Sequence, residues 1–215
     1  MSLPQPDGYL AMPDAGSDSA VLVLHAWWGL NDTMKEVCNR LAESGFACFA
    51  PDLYHGKIAD KIADAETLAR ALDANPIQAK AEIADAASFV MERSGHGDKG
   101  LAVIGFSLGA YYALELAAAD PEHVRSVVLF YGTGGGDFSS SRAAYLGHFA
   151  DNDEYEPQAS VDGLEEALRR TGRQVTFHRY ARTGHWFFES DRAQAYNQAA
   201  ATLAWDRTLA FLQRS

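Results

Sequence analysis

The sequence predicts an α/β fold, a mostly parallel central sheet with helices on both faces. Three observations carry the prediction. Compact apolar runs of strand length recur, as in Ala20-Val21-Leu22-Val23-Leu24-His25 and Ser126-Val127-Val128-Leu129-Phe130-Tyr131, without the polar alternation of a half-exposed strand. Stretches with apolar residues at helical spacing separate these runs, the order that a parallel sheet with right-handed crossovers requires. Midway, Val103-Ile104-Gly105-Phe106-Ser107-Leu108-Gly109-Ala110 runs from strand-like residues through Gly-x-Ser-x-Gly into a small-residue helix.

The elements follow in chain order. Tyr9 to Met12 has the length of a short edge strand, closed by the turn residues Pro13-Asp14-Ala15-Gly16. After the Ala20–His25 strand, Asn31 or Asp32 can cap a helix carrying Met34, Val37, Cys38, Leu41 and Ala42, ended by Gly45. Phe46 to Ala50 is the next strand. From Ala59 to Ser94 the chain is helical in pattern, with a break at Asn75-Pro76, and Lys99 to Ile104 leads into the serine motif. Beyond it come the Ser126–Tyr131 strand and a Gly/Ser/Thr loop from Gly132 to Ser141, too short for a folded lid. A strand over Ala143–Phe149, a helix over Ala159–Thr171, an outer strand over Gln174–Tyr180 and a last helix over Asp191–Gln213 complete the chain. No repeat, linker or low-complexity segment interrupts it, so residues 1–215 are expected to form a single domain.

Composition narrows the function. Acidic residues outnumber basic ones 29 to 18, a net charge of -11, which disfavours nucleic acid and anionic membrane as partners. Cys38 and Cys48 have no metal-ligand spacing and are too few for a disulfide framework, so reduced structural thiols are expected. No metal or cofactor is implied. No apolar stretch approaches the roughly 20 residues that span a bilayer. Met1 to Asp7 lacks the basic start and apolar core of a signal peptide, which leaves cytoplasmic as the default expectation.

Strand, Gly-x-Ser-x-Gly and helix in succession form a nucleophile elbow, the sharp turn of the α/β-hydrolase fold. It holds Ser107 at the carboxyl end of the sheet, over a helix N-terminus whose Leu108 N–H can face an oxyanion. A serine hydroxyl needs a base, and the base an acid to orient it. In this fold the chain order is serine, acid, histidine. Of seven histidines, His25, His55 and His96 precede the serine, His123 and His148 precede any plausible acid loop, and His178 sits within a strand. His185, in Thr183-Gly184-His185-Trp186-Phe187, lies on a loop before the last helix and is the candidate base. Asp151 and Asp153 both follow a strand at the right place for the acid. His25-Ala26-Trp27-Trp28-Gly29 occupies the turn that supplies the second oxyanion donor, with the Trp27 N–H in that role. Trp28, Phe106 and Trp186 are candidate pocket residues, Trp28 reading almost equally well as core.

Together these stretches resemble the dienelactone hydrolase family over nearly the whole chain. The resemblance lies in Phe49-Ala50-Pro51-Asp52-Leu53-Tyr54, Gly105 to Gly109, Asp153-Glu154-Tyr155-Glu156-Pro157, Gly184-His185-Trp186-Phe187 and Ala204 to Phe211. The family's acid is followed by x-aromatic-x-Pro, which implies Asp153 rather than Asp151. Two departures stand out. Dienelactone-cleaving members carry an elbow cysteine and, in the early turn, a glutamate that controls it, where this chain has Ser107 and Ala26. They also bind a substrate carboxylate through arginine, including one just past the histidine, where Phe187-Phe188-Glu189 offers no cation. The resemblance thus implies a serine hydrolase acting on a small carboxylic ester or lactone, without cofactor, through an acyl-enzyme formed on Ser107. An acyltransferase or perhydrolase using the same three residues, and a noncatalytic binding scaffold, are the competing readings. The natural substrate and the oligomeric state are not legible in the sequence.

Overall fold

The computed structural model describes residues 3–95 and 100–214. Of the residues read above, Met1, Ser2, His96 and Lys99 lie outside them. The elements run β1 (Gly8–Ala11), β2 (Ala20–Leu24), α1 (Asp32–Glu43), β3 (Ala47–Pro51), α2 (Ile62–Asp73), α3 (Pro76–Arg93), β4 (Leu101–Phe106), α4 (Leu108–Ala119), β5 (Val124–Phe130), β6 (Ala144–Ala150), α5 (Gln158–Arg170), β7 (Val175–Tyr180) and α6 (Gln198–Leu212). The strands form a seven-stranded, mostly parallel sheet in the order β1-β3-β2-β4-β5-β6-β7. The chain divides into two compact units, residues 1–103 and 104–215, with the division inside β4.

In the first unit β2 and β3 run parallel, with Ala20 opposite Ala47 and Leu22 opposite Phe49. Every residue of both strands is buried, as their unbroken apolar sequences require. β1 joins β3 antiparallel, Gly8 opposite Pro51. Asn31, of the two candidate caps, begins α1: its side-chain oxygen accepts the Met34 N–H at 3.1 Å. Met34, Val37, Cys38, Leu41 and Ala42 then face inward. Pro76 stands in the first turn of α3, where its missing N–H removes no helical bond, and this separates α2 from α3. Cys38 and Cys48 are buried, free thiols.

In the second unit β5, β6 and β7 are parallel, with Phe130 opposite His148 and Ala150 opposite Tyr180. α4 packs on β5, α5 on β7 and α6 on β6. β7 is an outer strand, and of its residues Tyr180 alone is buried.

Most element ends lie within a residue or two of the sequence reading, and two of the differences bear on the site. β5 ends at Phe130, because Tyr131 turns into left-handed backbone at φ 37°. The last helix starts at Gln198 rather than Asp191. Asn197 caps it by accepting the Ala200 N–H at 3.1 Å, and the Asn197 N–H donates to the Phe187 carbonyl at 2.9 Å. Residues 191–197 are therefore spent on turns that bind the histidine loop, and no continuous helix can pass through them.

Candidate active site

Ser107 links β4 to α4 with φ 50° and ψ -113°, a backbone conformation that side chains rarely adopt. The turn is held from two sides. The Ser107 N–H donates to the Phe130 carbonyl at 2.9 Å, and the Ser107 carbonyl accepts the Ala110 N–H at 2.9 Å. A Cβ on Gly105 would land on the Gly109 carbonyl and the Ala110 backbone, so the motif's first glycine is a steric requirement. Leu108 is the first residue of α4, and its N–H belongs to the helix turn that has no internal acceptor.

The Ser107 Oγ lies 2.8 Å from His185 Nε2. The other ring nitrogen, Nδ1, lies 2.9 and 2.8 Å from Asp153 Oδ1 and Oδ2. A carboxylate only accepts, so Nδ1 carries the proton and Nε2 is left to accept from the serine hydroxyl. Asp153 is held in turn by the Tyr155 and Glu156 N–H groups, which donate to Oδ1 at 2.9 and 3.0 Å. The His185 and Asp153 side chains are 5% and 2% exposed, so an imidazolium formed here faces its carboxylate with little water between them.

Asp151, the alternative acid, does not touch His185. Its carboxylate accepts the Arg182 N–H at 3.1 Å and braces the loop on which His185 stands. That loop is strained, with Arg182 at φ 59° and Trp186 at φ 62°. The Tyr155 ring packs on His185 and Trp186, at 5.2 and 4.8 Å between centroids, which gives the aromatic position after Asp153 a physical purpose. Burial raises the Glu156 pKa above the ordinary range, against the opposing pull of the Thr133 N–H and hydroxyl, each 2.8 Å away.

The dienelactone hydrolase family profile matches residues 7–215. The chain belongs to the dienelactone hydrolase family. "Protein usf" of Aquifex pyrophilus and the "Putative carboxymethylenebutenolidase" of Aquifex aeolicus are each 30% identical over 213 residues, covering 96% of this chain and 92% of theirs. A crystal structure titled "Putative Dienelactone Hydrolase" from Klebsiella pneumoniae subsp. pneumoniae superposes with a TM-score of 0.83 at 26% identity, covering 97% of this chain and 92% of that one. This dienelactone hydrolase family member is a carboxylic ester hydrolase with the α/β-hydrolase fold, and its described residues include no lid domain.

Other candidate positions in this family member fall into separate surroundings. Trp186 is half-buried, with its ring edge-on to His185 at 4.8 Å. Phe106 is fully buried and stacks on Phe130 at 4.6 Å. Trp28 is buried within the first unit and Trp27 half-buried there. His148 is a core histidine, bonded to the Tyr180 hydroxyl at 2.8 Å and the Thr208 hydroxyl at 3.0 Å, with His178 stacked on it. Among the described residues, no group of three or more His, Cys, Asp or Glu side chains could hold a metal ion, and no helix is long and apolar enough to cross a membrane.

Tyr131, beside His185, and its partner Glu189 escaped the sequence reading. Tyr131 is fully buried with its ring edge-on to the imidazole at 5.0 Å, and its hydroxyl donates to Glu189 Oε1 at 2.8 Å. Glu189 is itself fully buried, and burial pushes its pKa up to about 8. The available signal was a charged residue closing the apolar run Trp186-Phe187-Phe188.

Proposed function

We propose that this protein is a serine esterase that cleaves small, neutral carboxylic esters or lactones through an acyl-enzyme. The observation that carries the proposal is the contact of Ser107 Oγ with His185 Nε2 at 2.8 Å, with Nδ1 of the same ring on Asp153. His185 Nε2 takes the hydroxyl proton as Oγ attacks the carbonyl carbon. The oxyanion forms at the Leu108 N–H, at the start of α4. The tetrahedral intermediate collapses, the C–O bond to the alcohol breaks, and His185 hands its proton to the leaving oxygen. Water then gives a proton to His185 and attacks the acyl carbon, and the proton returns to Ser107 as the acid departs. Asp153 fixes the tautomer and stabilises the imidazolium at both stages.

The test is a panel of p-nitrophenyl esters with wild type and Ser107→Ala. The expected result is turnover of short neutral esters and a loss of several orders of magnitude in Ser107→Ala. A fluorophosphonate should label Ser107 in the wild type. Undiminished turnover in Ser107→Ala would overturn the proposal. Wild type that neither turns over esters nor takes the label would favour a noncatalytic scaffold.

A further inference from the structure

The imidazole of His185 is gripped on one side by Asp153 and faced on another by Tyr131. Tyr131 cannot relax on its own. Its left-handed backbone is pinned by its N–H to the His148 carbonyl at 2.8 Å, and its ring also meets Phe187 at 5.5 Å. The phenol reaches 58 residues along the chain to Glu189. Glu189 closes the turn that follows His185, its N–H donating to the Trp186 carbonyl and its carbonyl accepting the Arg192 N–H, both at 3.0 Å.

Glu189 is an expensive residue to place here. It has no exposed surface, and its second carboxyl oxygen, Oε2, has no hydrogen-bond partner among the described residues. Burial is the main reason that its proton is retained to about pH 8, with Asp191 adding to the effect and the Tyr131 bond and Arg192 opposing it. An apolar side chain would fill the same space without an unsatisfied oxygen. What it could not do is hold the Tyr131 hydroxyl.

We propose that Glu189 is a positioning residue for His185: by holding the Tyr131 phenol it keeps the ring edge-on to the imidazole and locks the Trp186–Glu189 turn, so that Nε2 stays on Ser107. This rests on the serine mechanism proposed above. Displacements of about 1 Å in such a contact can cost about a hundredfold in rate, so the pair acts on turnover rather than on substrate affinity.

The test compares Glu189→Leu, Glu189→Gln and Tyr131→Phe with wild type and Ser107→Ala, reading kcat, KM and the rate of fluorophosphonate labelling. Label stoichiometry counts the folded sites, so a poorly folding variant still yields a rate per site. Glu189→Leu and Tyr131→Phe are each expected to lower kcat and labelling rate about tenfold or more, with KM changed less than about twofold. Glu189→Gln keeps a neutral acceptor for the phenol and should restore kcat to within about threefold of wild type. Wild-type kcat in Glu189→Leu or in Tyr131→Phe, a change confined to KM, or Glu189→Gln as slow as Glu189→Leu overturns the positioning role. Undiminished activity in Ser107→Ala is a different outcome, which removes the serine mechanism itself.

Discussion

Asp151 accepts the Arg182 N–H at 3.1 Å, and so ties the loop after β6 to the loop that carries His185. Its neighbour two residues on, Asp153, instead receives the His185 Nδ1–H. Asparagine at 151 retains an acceptor oxygen for Arg182, whereas asparagine at 153 invites the wrong imidazole tautomer. Asp153→Asn should lower kcat about 10⁴-fold, and Asp151→Asn less than about tenfold. Steady-state kinetics on one ester decides it, and equal losses would mean that the two loops act as one unit.

Gly132 offers a steric test of the elbow. A Cβ there would run into the Ser107 carbonyl and the Ala110 methyl. Gly132→Ala should destabilise the protein by about 1–3 kcal/mol and lower kcat, because the backbone that must give way is the serine's own. Urea unfolding with ester kinetics on the same preparation measures both. A stability loss with unchanged kcat would show that Ser107 tolerates the shift.

Buried acid and buried base make opposite demands on pH. The folded state keeps the Glu189 proton to about pH 8, while the unfolded chain releases it near 4.5. Its contribution to stability is full below about pH 4.5 and is lost as pH rises through 8. Melting temperatures of wild type and Glu189→Gln should therefore diverge in the variant's favour between pH 5 and 8. Parallel curves would mean that Glu189 is ionised in the fold.

His148 acts in the other direction. Burial, with the charges of His178 and Arg207 adding to it, holds its pKa well below the ordinary 6.5. The unfolded chain then takes up a proton that the folded one refuses, so stability falls as pH drops below about 6.5. His148→Gln should be less stable at pH 7, since the Tyr180 and Thr208 bonds are disturbed, yet its melting temperature should depend less on pH between 5 and 7.

Negative charge around the candidate site predicts a preference among esters. Asp151 and Glu154 are exposed on the loop that carries Asp153, and the protein as a whole carries a charge of -11. A neutral ester should show a higher kcat/KM than its carboxylated counterpart, with the gap narrowing as salt screens the field. Equal values at low salt would remove electrostatics from the account of specificity.

Local chemistry made much of this legible in the sequence. Apolar runs, the Asn31 cap, the Asn75-Pro76 break and the Gly-x-Ser-x-Gly turn depend on neighbours within a few residues, so they could be read from residue types and spacing. Chain order singled out His185 among seven histidines, while residue types left Asp151 and Asp153 open and only the resemblance to the dienelactone hydrolase family, through x-aromatic-x-Pro, implied Asp153. The end of β5 and the start of α6 were misjudged for a common reason. Tyr131 and residues 191–197 have unremarkable local propensity, and their backbone is committed to distant partners, His148 and Phe187.

By itself, then, the sequence determined the order of elements, the elbow and the residue types available for acid, base and nucleophile. The division of labour between Asp151 and Asp153, and the Tyr131–Glu189 contact, were decided only by the tertiary structure. Both depend on where separate loops meet above the parallel strands β5, β6 and β7. A carboxylate two residues nearer or farther reaches a different donor, and Glu189 meets the Tyr131 phenol, 58 residues away in sequence, only once the chain has folded.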